Sequence, residues 1–176
     1  MDRARREYIN RLVDKIREVF ELETPLNVRT VVQKLGGKLV QRDNEELECE
    51  ASIQKDGNGF KIILDENAYK NRKRFSVAHE LGHLFLHMGY LVDDDKWNSV
   101  GEYTDSVYHR YGYGIEENEA SEFAAALLMP KEEFIEIANQ NLDHNMYRIQ
   151  PIAKHFDVST EAASNRGKWL GLFQWE

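Results

Sequence analysis

One cysteine, Cys49, stands in a chain of 176 residues. No intrachain disulfide framework is possible, and a reducing compartment is expected. Positive charge is scarce as well. The 23 Lys and Arg against 31 Asp and Glu leave a formal net charge of −8. A bulk nucleic-acid binder usually shows a basic footprint instead. Long apolar runs are missing too: the opening "MDRARREYINRLVDKIREVF" is charged throughout, which fits neither a signal peptide nor a membrane span. Internal repeats, low-complexity tracts and a convincing linker are all lacking. What is present is 41% hydrophobic residues, enough for the core of one globular domain over residues 1–176. The expectation is a soluble, cytoplasmic protein with no membrane partner.

Hydrophobic periodicity gives the coarse organisation. Residues 3–20 read as an amphipathic helix with Tyr8, Leu12, Ile16 and Phe20 on one stripe, beside Val13 and Val19. Asn27 or Thr24 can cap a short helix that stops at Gly36-Gly37. Strand-like runs follow, "KLVQ", "ECEASIQ" and "GFKIILD", and the "KDGNG" between the last two is a strong hairpin signal. A small antiparallel sheet is expected there. Residues 88–114 show no sustained period, and so long an irregular stretch is often functional. Helical patterning resumes in "IEENEASEFAAALLM", stops at Pro130 and continues as a helical C-terminal segment from about residue 131.

The stretch "RFSVAHELGHLFLH", Arg74 to His87, carries the chemistry. Val77, Leu81, Leu84 and Met88 form the apolar face of a helix, and His79 and His83 fall opposite them, one turn apart. Two imidazoles so placed can converge on one ion at about 2 Å from each nitrogen. Glu80 is turned by about 100° from His79 and lies beside the pair, in reach of a metal-bound water without being a ligand. This is the H-E-x-x-H arrangement of two zinc ligands and a general base. His87 continues the stripe, but His79 to His87 spans about 12 Å along the axis, so His87 reads as a packed or supporting residue.

A catalytic zinc needs a third protein ligand. The segment "EENEASEFAAALLMP" offers Glu116, Glu117, Glu119 and Glu122. Most of these acids read as solvated charges favoured at a helix start. Glu117 lies in line with Ser121 and Ala124 on a stripe of small residues, which lets that helix approach the histidine face closely. Glu119 points about 200° away and stays the reserve candidate.

Taken together, "RFSVAHELGHLFLH" and "ENEASEFAAALLMP" resemble the ImmA/IrrE-type metallopeptidases of bacteria and their phages. Arg74, Phe75, Ala78, His79, Glu80, Gly82 and His83 match the first family block. Glu117, Ala120, Phe123, Ala124, Leu128, Met129 and Pro130 match the second, and "HFDVSTEAASNR" is similar to the family's C-terminal segment. The resemblance implies an α+β, zincin-like fold, with Zn²⁺ on His79, His83 and Glu117 and Glu80 as catalytic base. It also implies a protein substrate, such as a repressor of a phage, a mobile element or a stress response. Ser121 stands where the family usually has Asn or Asp, a side chain expected to steady a metal-binding histidine.

Several features have weaker readings. Tyr103, Tyr108, His109, Tyr111 and Tyr113 crowd the irregular stretch; Tyr108, His109 or Tyr111 would serve as an oxyanion donor or lid. The tract "IAKHFDVSTEAASNRGKWLG" also fits a helix–turn–helix, with Lys154, His155, Arg166 and Lys168 toward phosphates. Packing or protein docking suits the acidic chain better. A non-proteolytic transcriptional regulator, or a protein-binding module on the same scaffold, is the alternative function.

Overall fold

The structure is a computed structural model that describes residues 1–42, 51–67, 69–100 and 114–174. Cys49 and the oxyanion or lid candidates Tyr103, Tyr108, His109, Tyr111 and Tyr113 lie outside the described residues. The order of elements is α1 (Arg3–Val19), α2 (Val28–Lys34), β1 (Lys38–Arg42), β2 (Ala51–Asp56), β3 (Gly59–Asp65) and α3 (Lys70–Leu86). It continues with α4 (Asp94–Ser99), α5 (Ile115–Leu128), α6 (Lys131–Gln140), β4 (Leu142–Asp143), β5 (Met146–Tyr147), α7 (Ile149–Phe156) and α8 (Thr160–Trp169). The class is α+β, as the patterning indicates, and no described helix is long and apolar enough to cross a membrane.

The helix starts follow capping chemistry. Asp2, Asn27, Asp93 and Ser159 each accept a backbone N–H of the first turn of α1, α2, α4 and α8. The "DDD" run, Asp93 to Asp95, thus caps and opens α4. The buried stripe of α1 is Ile9, Val13 and Ile16, whereas Tyr8 and Val19 are exposed. Of the expected Tyr8–Leu12–Ile16–Phe20 row, Ile16 is buried and Leu12 and Phe20 pack against the core, while Tyr8 is exposed, because each four-residue step overshoots a turn by about 40° and the row drifts across the face.

The hairpin forms where "DGNG" indicates it, with Asp56 opposite Gly59 and Gly57 at φ 61°, a conformation that suits glycine. The sheet is mixed, not antiparallel throughout. Its order is β1-β3-β2, with β1 parallel to β3 and β2 antiparallel to it. The central β3 buries Phe60, Ile62 and Leu64 on one face and Ile63 on the other.

Helix α3 lies between this sheet and α5, and α1 packs on the other side of α5. Gly82 makes the α3–α5 approach possible: a Cβ there would sit 2.8 Å from Ala120 Cα and 3.0 Å from Ala120 O. Arg74, buried, closes the start of α3. It donates to the carbonyls of Leu26, Phe156 and Asp157, and its Nη1 lies 3.0 Å from the Asp157 carboxylate. The histidine stretch of α3 is therefore held by Arg74 at its start and by the close α3–α5 contact at Gly82.

Candidate metal centre

Helix α3 presents His79 and His83, and α5 presents Glu117 against them. His79 Nε2 lies 3.1 Å from His83 Nε2 and 3.1 Å from Glu117 Oε2. His83 Nε2 lies 3.3 Å from Glu117 Oε1, a buried oxygen with no hydrogen-bond partner among the described residues. One ligand atom from each residue falls within 4.8 Å of the other two, so the trio could hold a metal ion. The two imidazoles hold the Glu117 carboxyl far below the usual carboxylate range, His79 contributing most. A concentrated anionic site beside two lone-pair nitrogens is what a cation satisfies.

Each histidine has its own support. Ser121 Oγ lies 3.3 Å from His79 Nδ1. His83 Nδ1 lies 2.9 Å from His87 Nδ1, and His87 Nε2 lies 3.3 Å from Glu119 Oε2. His87 is therefore a neighbour of His83 with a largely covered side chain, and it does not join the ligand trio. Burial, aided by His83, lowers its pKa to about 4, so the ring is neutral at neutral pH. Glu80 is buried, one residue after His79.

Two of the acids read as solvated are not. Glu119 is buried and accepts from Arg5 Nε at 2.8 Å and Nη2 at 2.6 Å. Glu122 is buried and accepts from Arg166 Nη1 at 3.0 Å and Asn10 Nδ2 at 2.7 Å, with Arg6 Nε at 3.3 Å. Their partners come from α1 and α8, which no local pattern in α5 reveals. Arg166 is likewise not a phosphate contact. It is 2% exposed, and beyond Glu122 it donates to Met129 O and Asn10 Oδ1. His155 pairs with Glu133 at 2.8 Å, so the helix–turn–helix reading loses two of its four cations.

The stripe on α5 behaves as the spacing indicates, with Glu117 and Ser121 both on His79. The face of α3 that carries the histidines is nevertheless not open: Glu80, Gly82 and His83 are as buried as the apolar side. What the sequence reading missed is the Arg5–Glu119–His87 line. Its one sequence signal is the third histidine at the same four-residue spacing.

Comparison with known proteins agrees with this geometry. No curated protein sequence matches the chain significantly. A solved Mycobacterium tuberculosis transcriptional regulator superposes with a TM-score of 0.63 at 15% identity. The alignment covers 91% of this chain and 46% of that one, so this chain spans less than half of that protein's length. The likeness is one of fold. The peptidase-family profile described as the IrrE N-terminal-like domain matches residues 52–168, from β2 through α8 and across every residue of the His79–His83–Glu117 trio, and the chain belongs to that family.

Proposed function

We propose that this protein is a zinc-dependent endopeptidase that cleaves a regulatory protein, with a repressor as the substrate class. The observation that carries the reading is the His79–His83–Glu117 trio beside a buried Glu80. Donors about 2.0–2.1 Å from a tetrahedral Zn²⁺ stand about 3.3 Å apart, and the separations here are 3.1, 3.1 and 3.3 Å. The mixed nitrogen and oxygen donor set, with three protein ligands, suits a catalytic zinc rather than a closed structural one. Bound there, the ion would lower the pKa of a water and polarise a substrate carbonyl. Glu80 receives the proton of the attacking water and returns it to the leaving amine. Ser121 and His87 keep the two imidazoles turned toward the ion.

The test is Glu80→Gln. The variant is expected to bind metal and fold as the wild type does while losing hydrolysis of the substrate protein. Cleavage at the wild-type rate would refute the assignment. A second reading, a regulator that keeps the scaffold but acts by binding, draws on the structural neighbour described as a transcriptional regulator. Operator binding that weakens with salt, with no cleavage of any partner, would favour it.

A further inference from the structure

The proton positions around His83 follow from the geometry once its Nε2 is given to a metal. To offer Nε2 to a metal beside His79 and Glu117, neutral His83 must carry its hydrogen on Nδ1. That Nδ1 faces His87 Nδ1 at 2.9 Å. Two protonated nitrogens cannot meet at that distance, so His87 Nδ1 accepts and its own hydrogen sits on Nε2. His87 Nε2 in turn points at Glu119 Oε2, 3.3 Å away. Glu119 is held by the fork of Arg5, whose Nε and Nη2 donate to its two oxygens at 2.8 and 2.6 Å. The His83 side chain is fully buried, and those of His87 and Glu119 are 6% and 8% exposed, so water competes little for these bonds.

We propose that a hydrogen-bond chain in which His83 donates to His87, and His87 and Arg5 both donate to Glu119, locks His83 in its metal-binding tautomer, making α1 a working part of the metal centre. The inference rests on the proposed metal site. Direct carboxylate support of a ligating histidine is common, and its loss costs about 10–100-fold in metal affinity. Here a second imidazole is interposed, and the last link is supplied by a helix that precedes the residues matched by the family profile. Among the described residues, the Ser121 hydroxyl is what faces His79 Nδ1, a shorter support than the one behind His83. His87 is a positioning residue that touches neither ion nor substrate.

The experiment is Zn²⁺ affinity of the purified full chain, by chelator competition, with metal-free thermal unfolding measured alongside. His87→Phe keeps the ring volume but removes the acceptor, and is expected to lower affinity about 10–100-fold. His87→Gln restores an acceptor for His83 Nδ1–H and should recover most of that loss. Arg5→Gln, at the partly exposed end of the chain, should cost a few-fold. A merely structural role would lower metal-free stability equally in His87→Phe and His87→Gln and leave the two with the same affinity; that pattern overturns the proposal. Wild-type affinity in His87→Phe overturns it too, with the metal site intact. A wild-type chain that binds no Zn²⁺ refutes the site itself and the chain of bonds with it. Should His87→Phe fail to fold, Arg5→Gln and Glu119→Gln decide: unchanged affinity in both overturns the proposal, and lowered affinity with unaltered metal-free melting supports it.

Discussion

Gly82→Ala is the most informative single substitution, because one methyl group tests both the packing and the site. The added Cβ would stand 2.8 Å from Ala120 Cα, 3.0 Å from its carbonyl oxygen and 3.2 Å from its Cβ. Carbon atoms settle at about 3.5–4.0 Å, so α5 must retreat by about 0.7 Å. The two nearest atoms are backbone and cannot rotate away. Overpacking of this kind costs about 1–3 kcal/mol, and backbone contact puts it at the upper end. Alanine returns about 1 kcal/mol through helix propensity. The net is about 2 kcal/mol of destabilisation, a fall in Tm of about 4–8 °C for a chain of this size. The larger effect falls on the metal. Glu117 rides on α5 one turn before Ala120, and metal–ligand distances tolerate only about 0.2 Å. Metal affinity is expected to drop at least about tenfold. Thermal unfolding and a chelator-competition titration read the two effects separately. Ala120→Gly should not rescue, since it removes only the most distant of the three contacts. A Gly82→Ala protein with wild-type Tm and wild-type affinity would refute the reasoning, and rescue by Ala120→Gly would show that the side chain, not the backbone, sets the approach.

Glu117→Ala should reduce metal affinity by more than the roughly 10–100-fold that loss of an outer partner costs; a metal-content measurement showing full occupancy would remove Glu117 from the ligand set. Arg166→Ala should destabilise by about 3–5 kcal/mol, because it strips buried Glu122 of one of its cations and leaves Met129 O without its donor; a denaturant midpoint shift below about 1 kcal/mol would contradict the burial argument. Asp157 has its carboxyl pKa lowered, first by the Lys70 hydrogen bond, with Arg74 helping against burial. A depressed carboxylate contributes stability above its unfolded pKa, about 3.9, and loses that contribution as pH falls through the folded value. The stability gap between wild type and Asp157→Asn should therefore be open at pH 7 and narrow as pH falls below the unfolded value, and a gap that does not narrow in acid would show that charge is not the cause.

How much of this was legible in the sequence depends on the range over which each residue acts. The four-residue spacing of His79 and His83, and of Glu117 and Ser121, is local helix geometry, and the structure places all four together. The hairpin at Gly57 is equally local. The direction of β1 was not legible, because parallel pairing with β3 is decided by where β2 lies and not by any residue in β1. The same limit explains Glu119, Glu122 and Arg166. A run of acids at a helix start looks solvated until helices distant in the chain bring Arg5, Asn10 and Arg166 to it. His87 sat between the two cases: its spacing was visible, but its role needed Glu119 and Arg5 to be seen beside it.

Helix α1 carries a consequence for the order in which the molecule assembles. Its residues are bonded to partners far along the chain: Arg17 to Leu127 O at a separation of 110 residues, Arg5 to Glu119 at 114, and Asn10 to Arg166 at 156. Closing loops of that length is entropically unfavourable and is compensated only when α1, α5 and α8 dock together. On the ribosome, α1 emerges before α5 and α8 and waits for them. Glu117 belongs to the helix that α1 braces, so its seating against His79 and His83 depends on that docking. Completion of the candidate metal centre is thereby tied to the long-range closure of the fold.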